Sequence, residues 1–158
     1  MQKVQILPYD DNKHKQAFYE LNARWIKELF GQLEAGDDYE LNRPLENIVQ
    51  KGGFIFMAEM DGVAVGSFAM MKCANTKYDF ELVKFAVNHD FGGLGIGKKL
   101  MNAVLDKARE MQAKKLFLES NTKCEAAVHL YRKVGFTELP EINSSYERCN
   151  IQMEMDIS

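Results

Sequence analysis

The chain has 158 residues, 46% of them hydrophobic and 27% charged, and a formal net charge of −3. That length suits one domain, 1–158, able to bury about two thirds of its unfolded surface. The mildly acidic balance argues against nucleic acid as the main partner, which would need a basic face. No stretch approaches the ~20 apolar residues of a membrane span. Cys73, Cys124 and Cys149 form no CxxC pair or Cys/His cluster, so reduced thiols and no metal site are expected. The first ten residues carry too short an apolar run for a signal peptide, and the expected location is the cytoplasm.

In chain order, Val4 to Tyr9 reads as a strand and Lys13 to Phe30 as a helix, with Phe18, Leu21, Trp25 and Leu29 near helical spacing. Gly31 to Glu40 reads as an acidic loop. Pro44 to Gln50 reads as a second short helix, opened by Pro44 and stopped by Gly52-Gly53. Residues 54–60 and 63–71 flank Asp61-Gly62, a strong type I′ hairpin signal. Asn75-Thr76-Lys77 turns the chain into a strand from Tyr78 to Val87. Ile96, Leu100, Val104, Ala108 and Met111 then form the apolar stripe of a helix. Lys115 to Ser120 is a short buried strand. Ala127, Leu130, Tyr131 and Val134 stripe a third long helix, closed by Gly135. Strands at Phe136 to Leu139 and Asn150 to Ile157 complete the pattern. The result is an α/β chain of order βααβββαβαββ, with a central mixed, mostly antiparallel sheet and helices on both faces. The crossover from 78 to 120 is parallel and right-handed.

Between the strand ending at Val87 and the following helix lie Gly92, Gly93, Gly95 and Gly97. Glycines there allow positive φ and bring backbone N–H groups close to a ligand at a helix N-terminus, where anions are favoured. The ligand therefore carries phosphates, and three readings compete. Gly92 to Lys98 satisfies GxxxxGK, with Glu119 as a second acidic element. Lys99, however, occupies the place of the Ser or Thr that would hold Mg²⁺. A dinucleotide fold would need GxGxxG spacing after an N-terminal βαβ unit, and neither is present. The third reading is coenzyme A.

For that reading, Asn88 to Leu100 resembles the pyrophosphate-binding motif of the GNAT superfamily of acetyl-CoA-dependent N-acyltransferases, written Gln/Arg-x-x-Gly-x-Gly/Ala. Gly92 stands where Gln or Arg is expected, followed by Gly93, Leu94, Gly95, Ile96 and Gly97. Ser120 to Phe136 resembles the family's later motif, in which Asn precedes an Ala-containing helix ending Leu-Tyr-x-Lys-x-Gly-Phe. The two motifs stand in the family's order, and the resemblance covers nearly the whole chain, residues 10 to 50 only in outline. It implies the acyl-CoA N-acyltransferase fold, acetyl-CoA as co-substrate, direct attack by a small-molecule or peptide amine, and frequent dimers. A binding module that holds acyl-CoA without catalysis is the competing class.

The resemblance also implies roles. Backbone N–H groups from Gly93 to Lys98 cradle the pyrophosphate. Phe85, Ala86 and Val87 line the pantetheine arm in a gap between parallel strands, the Val87 N–H polarises the thioester carbonyl, and Asn121 bonds the pantetheine amides. Tyr131 matches the family's Leu-Tyr tyrosine and is the candidate general acid, a phenol protonated at neutral pH. Glu81 is the first candidate for general base. By period-two counting it shares a strand face with Val83, Phe85 and Val87, although a bulge would break that parity. Glu119 is the second candidate. Cys124 and Cys149 lack a designated base and are poor nucleophiles. His14 and His129 read as surface residues, and His89 sits beside the turn. Glu34, Asp37, Asp38, Glu40 and Glu46 suggest an acidic rim that attracts a cationic amine, in which case neutralising Asp37 and Asp38 should raise KM.

Overall fold

A computed structural model describes residues 3–74 and 77–157, so Asn75 and Thr76 of the expected turn lie outside the described residues. The Asp61-Gly62 loop has φ of +52° and +80°, the two positive values a type I′ turn requires, and it joins β2 (Phe54–Met60) to β3 (Val63–Lys72). With β1 (Val4–Pro8), β4 (Phe80–Val87), β5 (Lys115–Ser120), β6 (Thr137–Glu138) and β7 (Ile151–Asp156) they form one sheet, ordered β1-β2-β3-β4-β5-β7-β6. Among the described residues, only β4 and β5 pair in parallel. The expected mixed, mostly antiparallel architecture is therefore what forms.

Helices cover both faces. On one lie α3 (Ile96–Glu110) and α4 (Glu125–Val134), packed over Phe68, Met70, Leu82, Leu116 and Leu118. The α3 stripe ends at Ala108, because Met111 falls past the helix and is exposed. Gly66 lets α3 come close: a Cβ there would meet Leu100, Ile96 and the Ala86 carbonyl. The other face carries α1 (Asp11–Phe30) and α2 (Ala35–Asn42), over a smaller core of Phe18, Leu41, Ile55, Met57 and Ala69.

The N-terminal half departs from the sequence reading in three places. The expected acidic loop is a helix, α2, opened by a reciprocal capping box between Glu34 and Asp37. The expected helix at 44–50 is a single π-helical turn, Leu45–Val49. His14, expected at the surface, is 3% exposed. Its Nδ1 accepts from the Asp10 N–H at 2.9 Å, and its Nε2 lies 2.5 Å from Glu59, which fastens the start of α1 to β2.

Candidate active site

The β4–β5 pairing runs from Phe80–Leu116 to Leu82–Leu118 and stops. Beyond it the strands diverge, and a cavity of about 460 Å³ occupies the opening. One wall is β4 from Glu81 to Val87, and the other runs from Glu119 through Asn121 to α4.

A bulge shapes the first wall. Ser67 pairs with Ala86 and Ala69 with Val83, so Lys84 and Phe85 together oppose Phe68. Lys84 takes φ +53°, in the left-handed region unfavourable for a side chain with a Cβ. The bulge divides the residues expected on one face. Val83 packs with the α1/α2 core, whereas Phe85 and Val87 pack with the α3/α4 core. Glu81 is in register with Phe117, one step before Glu119 on the same side of β5. The expectation that Glu81 shares a face with Phe85 and Val87 is thus corrected. Because Asn88 donates to the Val65 carbonyl, the alternation of an antiparallel ladder turns the Val87 N–H away from β3, toward the opening.

Lys84 is anchored beneath the bulge. Its ammonium lies 2.6 Å from Asp37 and 3.1 Å from Glu40. Arg148 meets both oxygens of Asp37, at 2.5 and 2.6 Å. Burial raises the Asp37 carboxyl, but Arg148 and Lys84 outweigh it and hold it at about 2. Glu34 accepts from the Glu147 and Arg148 N–H groups, and Glu40 from the Tyr146 hydroxyl. The acidic rim is therefore corrected for three of its five members: Glu34, Asp37 and Glu40 turn inward to partner Lys84 and Arg148, while Asp38 and Glu46 stay exposed.

Glu81, Phe85, Ala86, Val87, Gly97, Glu119, Asn121 and Tyr131 all line the cavity. Glu81 makes no hydrogen bond or ion pair among the described residues. Burial, then Glu119 and Glu40, push its carboxyl up to about 8, against the pull of Lys84. Glu119 accepts from the Ser144 hydroxyl and the Gln152 amide. Asn121 donates to the Arg148 carbonyl at 2.6 Å and accepts from the Lys123 N–H at 2.8 Å. Tyr131 packs edge-on to Phe85 and Phe136 and is 6% exposed. Its hydroxyl takes no hydrogen bond from the described residues, and none of their buried side-chain polar atoms is left without one, so it opens onto the cavity. Burial raises its pKa.

Gly92, Gly93, Leu94, Gly95 and Lys98 are exposed beside the cavity rather than in its wall, and Ile96 is buried in the core. Gly93 and Gly95 have φ of +80° and +73°. No side chain caps α3, and its first turn holds no acid, so its leading N–H groups remain available to an anion. Arg24 steadies the segment before the turn, bonding Asn88 at 3.1 Å and Asp90 at 3.2 and 3.3 Å. Burial pushes the Cys73 thiol up to about 11 and also raises Cys124 and Cys149, which disfavours thiolates. Among the described residues no His/Cys/Asp/Glu cluster fits a metal, and no helix is long and apolar enough to cross a membrane.

Sequence reasoning missed Trp25, Lys84, Tyr146 and Arg148 as parts of the site. Lys84 carried a signal, a charge inside an apolar strand. Trp25 carried a weaker one: α1 buries His14, Phe18, Asn22 and Ile26, so Trp25 and Leu29 lie beside that stripe and face the cavity. Nothing in the polar stretch 140–150 announced that Tyr146 and Arg148 fold back onto α2.

A seven-stranded mixed sheet, opened between its two parallel strands beside an uncapped helix N-terminus, defines the acyl-CoA N-acyltransferase fold. The chain belongs to the acetyltransferase (GNAT) family, whose model matches residues 16–136. It is 32% identical over 124 residues to the N-alpha-acetyltransferase RimI of Mycobacterium tuberculosis, covering 73% of this chain and 72% of that one. It is 30% identical over 89 residues to a probable N-acetyltransferase camello of Xenopus tropicalis, covering 56% of this chain but only 41% of that longer relative. Among solved structures, a GNAT-family acetyltransferase from Staphylococcus aureus Mu50 superposes with a TM-score of 0.85, at 22% identity, over 99% of this chain and 100% of that one. A Salmonella typhimurium protein, solved with its cofactor acetyl-CoA, superposes with a TM-score of 0.76, at 18% identity, over 99% of this chain and 95% of that one.

Proposed function

We propose that this protein is an acetyl-CoA-dependent N-acetyltransferase that acts by direct attack of a primary amine. The observation that carries this reading is the cleft itself. It runs through the sheet between β4 and β5, with Tyr131 on the α3/α4 side and Glu81 on the α1/α2 side. The family match and the mycobacterial relative's name support it.

Acetyl-CoA supplies the acetyl thioester. The N–H groups from Gly93 to Lys98 hold the pyrophosphate, favoured by the positive end of the α3 dipole. Phe85, Ala86 and Val87 lie along the pantetheine arm, with Asn121 across the opening. The Val87 N–H donates to the carbonyl oxygen as negative charge builds there. An alkylamine with a pKa near ~10.4 is almost wholly protonated at neutral pH and must lose a proton before it attacks. Glu81, at about 8, accepts that proton. The amine nitrogen bonds the carbonyl carbon, the C–S bond breaks, Tyr131 gives its hydroxyl proton to the departing sulfur, and the second proton shed by the nitrogen as the amide forms returns the tyrosinate to its phenol. Glu119 is the neighbouring carboxylate that helps keep Glu81 basic and is the second candidate for base. We place the enzyme in the cytosol, where its thiols stay reduced.

The deciding experiment is a thermal-shift titration with acetyl-CoA, with ATP–Mg²⁺ in parallel. At ~100 Kd a ligand of the native state contributes about 2.7 kcal/mol, roughly 5–11 °C for a chain of this length. A shift with acetyl-CoA alone is expected, and a shift with ATP–Mg²⁺ alone overturns the reading. Single-turnover transfer to a panel of amines then separates an enzyme from a module that only binds.

A further inference from the structure

On the α1/α2 side, the cleft joins an apolar wall to acidic groups that outnumber the cations paired with them. Trp25, Leu29 and Phe30 of α1 line it, together with Glu40, Glu81 and Glu119. Two of its cations, buried Lys84 and half-buried Arg148, are already engaged. Lys84 is paired with Asp37 and Glu40. Arg148 is held by both oxygens of Asp37 and by Glu34 at 3.4 Å, with its guanidinium 5.8 Å from the Trp25 ring and 4.6 Å from the Tyr146 ring. Among the described residues, the ion pairs of Glu34, Asp37 and Glu40 are with Lys84 and Arg148, and Glu81 and Glu119 form none. Glu119 receives its hydrogen bonds from neutral groups, and Glu81 makes none among the described residues. The remaining cation of the lining, Lys123, is exposed and lies 5.6 Å over the Phe30 ring.

We infer that the acceptor is a primary amine on an apolar or aromatic skeleton, with no carboxylate or phosphate beside the amine. The inference rests on the N-acetyltransferase reading. An ammonium entering between Glu81 and Glu119 meets opposite charge in a poorly solvated space, where attraction is strong. The rings of Trp25 and Phe30 offer its skeleton apolar contact. An acid group on the neighbouring carbon meets the Glu119 carboxylate, the Glu81 carboxyl beside it and a guanidinium already satisfied by Asp37. It would be stripped of water with no partner, which discriminates against it by repulsion.

A matched trio tests this: phenethylamine, phenylalaninamide and phenylalanine, which share one skeleton and differ in the group beside the amine. Initial rates are measured at saturating acetyl-CoA, and acetyl-CoA binding is measured separately by calorimetry. Like-charge juxtaposition at a desolvated site predicts kcat/KM on the order of a hundredfold higher for the amine and the amide than for the acid. Glu119→Gln, which keeps its polar neighbours and loses the charge, is expected to narrow that ratio. Lys123→Met is expected to leave it unchanged. Equal use of phenylalanine overturns the inference, and so does a Lys123→Met variant that selectively loses phenylalanine. If acetyl-CoA binds but none of the three is acetylated, this acceptor class is wrong and the cofactor cleft stands. If acetyl-CoA does not bind, the parent reading falls with it.

Discussion

Burial and the charges of Glu119 and Glu40 push the Glu81 carboxyl up to about 8, and Lys84 offsets only part of that. A base with that value gains activity as it ionises, so kcat/KM should climb between pH 6 and 9 with one ionisation near ~8, well below the acceptor's own near ~10. Glu81→Gln is expected to remove that limb and to slow the reaction about 10²- to 10⁴-fold. A variant that keeps the limb assigns the base elsewhere. Tyr131 meets the complementary requirement. Burial raises its pKa, so it holds its proton across the working range and still carries it when the sulfur departs. Tyr131→Phe removes a hydroxyl that bonds none of the described residues. It should lower kcat about 10²- to 10⁴-fold while the Kd for acetyl-CoA stays as in the wild type. An unchanged kcat excludes the proton-donor role.

Among the elements, α2 holds the bulge of β4 in place. Asp37 is fully buried and is shared between Lys84 on β4 and Arg148 in the loop before β7. Removing one charge from such a group leaves the others buried and underpaired. Asp37→Asn is therefore expected to cost about 3–5 kcal/mol, read as a lowered Tm. An unchanged Tm with a raised KM would restore the acidic-rim expectation. At the start of α3, Gly95 sits at φ +73°. Gly95→Ala should cost about 1–2 kcal/mol and weaken acetyl-CoA binding, because the N–H groups behind it lose their aim. Calorimetry on the variant measures that loss. These two elements also mark how far the sequence could be read. The Asp-Gly hairpin, the α3 stripe up to Ala108 and the glycine turn are local patterns, and local physics fixes them. Val87, Asn121 and Tyr131, on either side of the β4–β5 opening, were named through the two family motifs, because those motifs sit on its edges. The inward turn of α2 was not legible. Its acids have the composition of a solvated loop, and what draws them in is Lys84 and Arg148, which arrive from 47 and 111 positions along the chain. A bulge in β4 was weighed as the alternative, but nothing in the residues Phe80 to Val87 placed it between Val83 and Phe85.

At the scale of the whole molecule, acids of opposite tendency set the pH range of stability. Asp37 is held at about 2. Glu59 is lowered by the His14 hydrogen bond, Asp79 by the Lys115 and Lys114 N–H groups, and Glu154 by the Tyr78 hydroxyl. Each contributes stability that is present above its unfolded value and lost as pH falls through its folded one, so unfolding by acid should set in below about pH 4. Glu81 runs the other way. Its folded value lies above the ordinary 4.5, so its contribution is full below 4.5 and lost as pH rises through about 8. Neutralising it with Glu81→Gln should therefore make the protein relatively more stable as pH climbs through that window, by at most about 1.4 kcal/mol per pH unit. Urea unfolding of both proteins from pH 4 to 9 measures the difference. A difference that grows with pH, in the variant that also loses the activity limb, would show the same buried carboxylate weakening the fold and serving the reaction, as a stability–activity trade-off requires. A flat difference would mean that Glu81 ionises as freely in the folded protein as in the unfolded chain, and would remove the physical basis for choosing it as the base.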